Sequence, residues 1–344
     1  RRMAIRRQCQ QSAEKFIKLQ RSQLQRLMTL ADYENPYLTM NPDYEREVLH
    51  VFADLFSQGI VYRALKPVHW SIANQTALAE AELEYEDRED LSVYVLFPAV
   101  DHDAIAGAFG VEIAEIPAFM IWTTTPWTLP ANMAIAVHEK YQYALARFGD
   151  VIAVVAEEMI PRIEKAKGVK AEILAVVPGS ALLGLSYRHP FCQRVSPIVH
   201  AEYVTLEDGT GLVHTAPGHG VEDHQTCLHE GIEVYCPVLD DGSYDDSVPD
   251  WLVGKSVWEG NDLVTEHLRG QNFLFYDHRF THSYPHDWRS KTPVIFRCTE
   301  QWFVGVDAIM KSPGESLRQS ALRDIESSVK FLPEWGRNRM RGML

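Results

Sequence analysis

The residues best suited to chemistry in this sequence lie between positions 122 and 134. Thr123, Thr124 and Thr125 are consecutive hydroxyl residues that follow an apolar run, and Asn132 adds a side-chain amide. Hydroxyl and amide groups both donate and accept hydrogen bonds. They could therefore form the polar side of a pocket for a small ligand.

Two prolines should make this stretch a rigid turn. Pro126 and Pro130 have no backbone N–H, so neither can continue a β-ladder. The indoles of Trp122 and Trp127 flank the hydroxyls and would supply the apolar end of such a pocket. A plain strand that runs into a proline turn has the same composition. The residue types alone leave both interpretations open.

A second stretch, residues 209–223, has the pattern of a strand, a glycine-rich turn and the start of a helix. Gly218 and Gly220 permit backbone conformations that other residues avoid. Asp223 falls where a helix N-terminus favours negative charge, and an acid that only complements the helix dipole would lie there too. By residue type alone, His214 fits a packed strand position at least as well as a binding site.

Composition limits the classes of function. The 344 residues suffice for two domains. The formal net charge is −14, whereas most nucleic-acid-binding proteins carry an excess of basic residues. No apolar run reaches the roughly 18 residues of a membrane helix. The 5 scattered cysteines indicate a reducing compartment. We therefore expect a cytoplasmic protein without membrane contact, and a fragment, since the sequence begins with Arg.

Together the two stretches resemble the editing site of the isoleucyl-tRNA synthetases, a family of class I aminoacyl-tRNA synthetases. The run Trp-Thr-Thr-Thr-Pro-Trp-Thr-Leu-Pro-Ala-Asn at 122–132 is similar to the family's threonine-rich editing peptide. Residues 209–223 and 282–303 also resemble family motifs. The leucyl and valyl relatives typically have Arg at the position of Pro126 and an acid at that of Trp127, which argues against those two families.

The resemblance implies a mixed α/β fold, with a β-barrel-rich editing domain inserted into a partial Rossmann-type catalytic domain. Residues 1–75 would be the C-terminal part of the first half of the catalytic domain, and 76–91 a connector. Residues 92–285 would form the editing domain, a β-barrel with helices, and 286–344 the return toward the catalytic domain. The barrel should be the ordered part, because half-sheets without their partners expose apolar edges.

Hydrophobic periodicity and turn residues predict the individual elements. Helices are expected at 4–31 and from the Asn41-Pro42 cap to Gly59, a strand at 60–70, and a short helix or strand at 78–85. Further strands are predicted at 93–97, 118–123, 143–148, 151–156, 172–177, 198–204 and 212–215. Helical pieces are predicted at 157–167 and 222–230.

The resemblance also implies a reaction. One missing methylene is worth only about 1–3 kcal/mol of discrimination, so valine enters an isoleucine pocket too often. The family corrects this error by hydrolysing valyl-tRNA(Ile) in a second pocket that excludes isoleucine by size. The sequence shows no Ser-His-Asp set and no activated cysteine, so we expect direct attack by an oriented water.

The resemblance assigns a role to each of the catalytic candidates. Asp223 would bind the α-ammonium of the misattached valine through a charge-assisted hydrogen bond. His214 would lie beside the aminoacyl group and shape the pocket floor. Thr123, Thr124 and Thr125 would contact the ester and the terminal adenosine and position water.

Two further residues, Trp127 and Asn132, are predicted to bind the substrate. They would hold the adenosine end or the turn itself. The predicted partners are the 3′ end of tRNA(Ile) and valine as its mischarged aminoacyl group, bound by a monomer. Two alternatives remain: the editing segment of a sister valyl or leucyl synthetase, and a catalytically idle tRNA-binding fragment.

The sequence predicts no cofactor for this chain. The His-Ile-Gly-His and Lys-Met-Ser-Lys-Ser type motifs of class I synthetases are absent from it, so ATP and magnesium are expected only for a longer parent enzyme. Some relatives bind zinc through two Cys-x-x-Cys pairs. The corresponding positions here are Ser71 with Asn74 and Asp287 with Ser290. Because the ligand cysteines are absent, we expect neither zinc nor another metal.

Overall fold

The computed structural model describes residues 2–344. Two compact units make up the chain: one comprises Arg1–Ala64 and Trp302–Leu344, and the other Leu65–Gln301. Within the described range, we find no helix that combines the length and the apolar character needed to cross a bilayer.

The helices and strands alternate irregularly along the chain. The helices are α1 Arg2–Arg26, α2 Pro42–Ser57, α3 His102–Phe109, α4 Ile160–Lys167, α5 Val221–His229, α6 Val257–Gly270, α7 Leu317–Ser327 and α8 Gly336–Arg341. The strands are β1 Val61–Ser71, β2 Thr76–Leu78, β3 Leu83–Pro98, β4 Ala118–Thr123, β5 Ala134–Val137, β6 Gln142–Phe148, β7 Val151–Ala156, β8 Ala171–Pro178, β9 Ser186–Arg188, β10 Val195–His200, β11 Val213–Thr215, β12 Leu274–Asp287 and β13 Ile295–Val304. Short 3₁₀ turns occupy Glu80–Glu82, Pro126–Ala131, Glu157–Met159 and Gly179–Ala181.

Most strands predicted from the sequence are confirmed, and β4 and β7 have the predicted ends. The strand predicted at 198–204 is wrong at its C-terminal end. In β10, His200 pairs with Val137, the last residue of β5, so the chain has no partner strand to follow beyond that point. The helix predicted to residue 31 also stops early, at Arg26, because Met28 adopts a left-handed backbone with φ 55°.

The second unit contains a 10-stranded curled sheet. Its main path runs β8-β6-β7-β4-β11-β5-β10-β9, while β3 pairs with both β4 and β12. Beyond the end of β3, Ala99 forms a bridge with Tyr187 of β9, and the N–H of Val100 donates to the carbonyl of Ser186 at 3.0 Å. The path β3-β4-β11-β5-β10-β9 therefore closes on itself. The predicted mixed α/β fold with a β-barrel-rich part is confirmed.

The barrel core explains why β4 could be predicted from its sequence. Phe119, Met120 and Ile121 are each fully buried. Strand β4 has parallel neighbours in β7 and β11 and an antiparallel neighbour in β3. A strand covered on both faces is apolar at every position and does not alternate.

The long ribbon formed by β3 and β12 was not predicted. The N-terminal half of β3 lies in the stretch 76–91, which the sequence indicates as a connector, and β12 pairs with β3 from Leu83 to Val95. Charged residues fill this part of β3, and its side chains are mostly exposed, so the apolar alternation that marks a half-buried strand is missing. The domain limits at 75, 91 and 285 stay predictions.

The first unit buries little of its helical surface. Asn41 caps α2 as predicted, since its Oδ1 accepts from the N–H of Asp43 at 3.1 Å and Pro42 is the first helical residue. Neither α1 nor α2 contains a buried residue, and the side chains of Leu49 and Phe56 on α2 are exposed. These helices therefore present apolar surface to solvent.

Candidate active site

The two sequence motifs meet at one cavity of about 290 Å³. Strands β4 and β11 are parallel neighbours, with Trp122 opposite Val213, so the residues that follow both strands emerge at the same edge of the barrel. Most of the predicted site residues line this cavity: Thr123, Thr124, Thr125, His214 and Asp223. The predicted catalytic residues are thus brought together, although they are far apart in sequence.

The three threonines form one wall of the cavity. The N–H of Thr125 donates to Thr123 Oγ1 at 3.1 Å, and the two hydroxyl oxygens are 3.2 Å apart. Pro126 then starts the 3₁₀ turn, which fixes the direction of the chain. Thr124 also lines the cavity, where its hydroxyl can meet a ligand.

His214 is held at both ring nitrogens. Its Nε2 is 2.9 Å from Thr128 Oγ1, and its Nδ1 is 2.9 Å from Asn132 Nδ2. The same Asn132 Nδ2 donates to the carbonyl of Ala134 at 2.9 Å, which identifies it as the amide nitrogen. Nδ1 of His214 therefore accepts, and its proton is on Nε2, which donates to Thr128.

This environment keeps His214 uncharged. Burial, with smaller contributions from the nearby His189 and His219, lowers the pKa of His214 to about 3. Because Nδ1 already accepts a hydrogen bond from Asn132, the imidazole has no free lone pair with which to remove a proton from water. His214 can shape the cavity and position groups in it, but it is not arranged as a general base.

Asp223 presents a carboxylate to the cavity from the first turn of α5. Its Oδ2 accepts from the N–H of Ala216 at 2.8 Å, and its Oδ1 accepts from the hydroxyl of Tyr203 at 2.9 Å. Burial raises the pKa of Asp223, and these two hydrogen bonds oppose that effect. A Cβ at Gly220 would lie 2.9 Å from Asp223 Oδ2, so glycine leaves the space that the carboxylate occupies.

Trp127 and Asn132 do not line the cavity. The carbonyl of Trp127 accepts from the Tyr244 hydroxyl at 2.6 Å, and its N–H donates to Asn261 Oδ1 at 3.1 Å. Asn132 is fully buried. Both residues hold the turn behind the threonine wall, which is one of the two roles expected for them. Their contact with a substrate stays a prediction.

Three residues outside the predicted set of site residues also line the cavity: Thr128, Tyr203 and His219. Thr128 Oγ1 donates to the carbonyl of Thr125 at 2.8 Å, so its hydroxyl links the wall to His214. His219 Nδ1 donates to the carbonyl of Phe296 at 2.9 Å, and burial lowers its pKa to about 4. Tyr203 carries no local signal, because its partner Asp223 lies on a different element.

The residues at the family's zinc positions form a closed hydrogen-bonded cluster around Asp287. Its Oδ2 accepts from Ser71 Oγ at 2.5 Å, Asn74 Nδ2 at 2.6 Å and Ser290 Oγ at 2.9 Å. Its Oδ1 accepts from the N–H of Arg289 at 2.8 Å. This set offers neither thiolate nor imidazole, and the lone pairs of its one carboxylate are occupied, so it does not fit zinc. In the described range, no three His, Cys, Asp or Glu side chains are grouped to hold a metal ion.

The family model and similar curated relatives point to the same family of proteins. The whole chain, residues 1–344, matches the tRNA synthetases class I (I, L, M and V). It is 42% identical over 340 residues to an isoleucine–tRNA ligase of Persephonella marina and 44% identical over 342 residues to one of Nitratidesulfovibrio vulgaris. Each match covers 99% of this chain, which spans 35% and 36% of those relatives.

Among solved structures, the editing domain of the P. knowlesi cytosolic leucyl-tRNA synthetase is similar over 58% of this chain and 99% of its own. The TM-score is 0.44 and the sequence identity 12%.

The Asp287 cluster predicts a specific response to acid. Burial would raise the pKa of Asp287, but the hydrogen bonds from Ser71, Arg289, Ser290 and Asn74 outweigh it and lower the pKa. The ionised carboxylate therefore stabilises the fold above its unfolded pKa of about 3.9, and this stabilisation is lost as the pH falls below that value.

Replacing this carboxylate should weaken the fold at neutral pH. Asp287→Asn should lower the free energy of unfolding by about 1.5–3 kcal/mol or more at pH 7, because charged hydrogen bonds are lost. The difference from the unsubstituted chain should shrink toward pH 3. Urea denaturation at both pH values measures it, with the exposed Asp246→Asn as control. Equal losses at the two pH values would contradict this account of the cluster.

The hydrogen-bond chain through His214 predicts its titration. In the unsubstituted chain, ring-proton chemical shifts in NMR should show no titration of His214 between pH 5 and pH 8. Asn132→Asp places a carboxylate where Nδ1 now accepts, which stabilises the imidazolium and should bring the titration into about that range.

The exposed Asn272→Asp is the matched control and should leave the His214 signal unchanged. A His214 that titrates near its ordinary pKa in the unsubstituted chain would contradict the assigned hydrogen bonds.

Proposed function

The chain belongs to the tRNA synthetases class I (I, L, M and V), and on that premise we propose that its cavity hydrolyses valyl-tRNA(Ile). In this proposal the chain is the editing portion of an isoleucine–tRNA ligase. The observation that carries the proposal is the arrangement of Asp223, the threonine wall and a neutral His214 around one cavity.

The charges of the cavity suit an aminoacyl ester. An α-ammonium group needs an anion, and Asp223 supplies a carboxylate already oriented by Ala216 and Tyr203. Burial increases the strength of such an ion pair, since the local dielectric is low. His214 is uncharged, so it does not repel the ammonium group. An esterified amino acid would therefore enter with its cationic end toward α5.

The threonine wall would bind the reacting ester. The hydroxyls of Thr123, Thr124 and Thr125 can donate to the ester and to the ribose and can hold a water between them. Water oxygen attacks the carbonyl carbon, the bond to the ribose oxygen breaks, and that oxygen takes up a proton. The products are free valine and tRNA. Catalysis here comes from positioning and from hydrogen bonds to developing charge.

Selectivity would come from the size of the cavity. At about 290 Å³ the cavity is small, and His214 is held in place from both sides by Thr128 and Asn132. A fixed wall cannot move aside for one additional methylene, whereas the first selection of isoleucine must tolerate a smaller side chain. Isoleucyl-tRNA(Ile) should therefore resist hydrolysis.

In this proposal the chain is part of a longer parent enzyme. The parent would ligate isoleucine to tRNA(Ile) with ATP and magnesium, as a cytoplasmic monomer. The chain itself would bind the 3′ end of tRNA(Ile) without a cofactor. Faster hydrolysis of a different misacylated tRNA would point to a valyl or leucyl relative, and binding without turnover would point to an idle fragment.

Loss of the Asp223 carboxylate should reduce hydrolysis of valyl-tRNA(Ile). Asp223→Ala should lower kcat/KM for deacylation by about 10- to 100-fold, the value of a hydrogen bond to a charged group. Glu222→Ala removes the neighbouring exposed acid and is the matched control, which should retain activity. Release of radiolabelled valine measures both.

Two results would contradict this function. If the unsubstituted chain releases valine no faster than buffer does, it is not an active deacylase. If Glu222→Ala and Asp223→Ala lose activity equally, general negative charge and not the Asp223 contact supports the reaction.

A further inference from the structure

A row of rings runs along one face of β12. Every second residue carries an aromatic or imidazole side chain, and alternation places these residues on the same face of the strand. The row is Tyr276, His278, Phe280, His282, Tyr284 and His286. Successive ring centroids are 5.5, 6.2, 4.6, 5.6 and 6.2 Å apart. The proposed hydrolysis makes no use of this row.

The two ends of the row differ in their surroundings: the near end is that of Tyr276, His278 and Phe280, and the far end is that of His282, Tyr284 and His286. At the far end, Arg88 lies over the ring of Tyr284, with its guanidinium carbon 5.1 Å from the ring centroid, and Asp90 is 2.9 Å from His282 Nε2. Protein groups therefore already cover that end. At the near end, the side chain of His278 is exposed and that of Phe280 is half-buried.

The near end borders a groove of about 540 Å³ that adjoins the candidate active site. Tyr276, His278 and Phe280 line it, and the two cavities share Trp122, Asp208 and Gly209 in their walls. A ligand that fills the active site can therefore continue directly into the groove.

Trp122 lines both cavities and is held in a fixed position. Its Nε1–H donates to Ser92 Oγ at 2.6 Å. Gly209, at φ 78°, packs against its ring, and a Cβ there would lie 2.8 Å from the indole. The indole is thus held in place from two directions.

The groove is also locally cationic. Its lining contains Arg162 and Lys165 from α4 and one carboxylate, Asp208, which pairs with Arg162. This local excess of positive charge stands out in a chain with a formal net charge of −14. Sites for single-stranded nucleic acid usually combine aromatic rings, on which bases stack, with cationic groups that bind phosphate.

We propose that this groove binds the nucleotide that precedes the terminal adenosine of the tRNA, with its base on His278 and Phe280 and its phosphate near Lys165. The inference rests on the proposed function for the identity of the RNA. It adds a binding site outside the cavity where the ester would react.

Two small substrates test the groove in the full chain. One is adenosine esterified with valine, which occupies the active site only. The other is the dinucleotide cytidylyl-adenosine esterified with valine, which adds the preceding nucleotide. The unsubstituted chain should hydrolyse the dinucleotide ester with the higher kcat/KM. Phe280→Ala and Lys165→Glu should each reduce that advantage about tenfold and leave the adenosine ester unaffected.

Matched variants separate the groove from general effects on the strand. Arg279→Ala changes the neighbour of Phe280 on the opposite face of β12 and should retain the advantage of the dinucleotide. Phe280→Trp keeps a ring and should retain it as well. Equal loss on both substrates, or no loss on either, would overturn the proposal.

A binding measurement tests the proposed groove independently of hydrolysis. Fluorescence anisotropy with the labelled, unacylated trinucleotide CCA should show about tenfold weaker binding to Phe280→Ala and to Lys165→Glu than to the unsubstituted chain. If esters are not cleaved but this difference is found, the hydrolytic function fails and the groove stands. Equal affinities would overturn the groove.

Discussion

The candidate site depends on a buried chain of hydrogen bonds that starts inside the barrel and ends at the threonine wall. The hydroxyl of Tyr187, on the strand that closes the barrel, donates to Asn132 Oδ1 at 2.6 Å. Asn132 then donates to His214, and His214 donates to Thr128. Because the amide of Asn132 donates to Nδ1 of His214, the imidazole proton lies on Nε2 and the Thr128 hydroxyl accepts it. Buried networks of this kind are rigid when every member has a partner.

Under the proposed function, this rigidity would allow the barrel to discriminate between ligands of similar size. The cavity lies where parallel β4 and β11 both end, and its wall is fixed by the buried residues Tyr187, Asn132 and Thr128. The charged groups are distributed around this fixed wall: Asp223 on α5 faces the cavity, while Arg162 and Lys165 on α4 border the neighbouring groove. A ligand with an ammonium group at one end and a phosphate at the other matches this order of charges.

The sequence predicted the parts of the structure that carry strong local signals. The apolar run of β4 identified a strand covered on both faces, and the motifs around Thr123 and Asp223 identified residues that the fold brings together. It could not show that Asn132 is buried behind the wall, because the sequence does not distinguish a turn asparagine that faces a ligand from one that faces a neighbouring residue. Tyr203 was missed because its contact with Asp223 is tertiary. The β3–β12 ribbon was missed because its exposed, charged residues lack the alternation of a half-buried strand.

The most direct test of the account is the structure of the chain with a non-hydrolysable amide analogue of valyl-adenosine. The account predicts that the valine ammonium lies within hydrogen-bonding distance, about 3 Å, of the Asp223 carboxylate, with the valine side chain against His214 and the amide beside the threonine wall. An analogue bound elsewhere, or bound in this cavity with its ammonium away from Asp223, would contradict it.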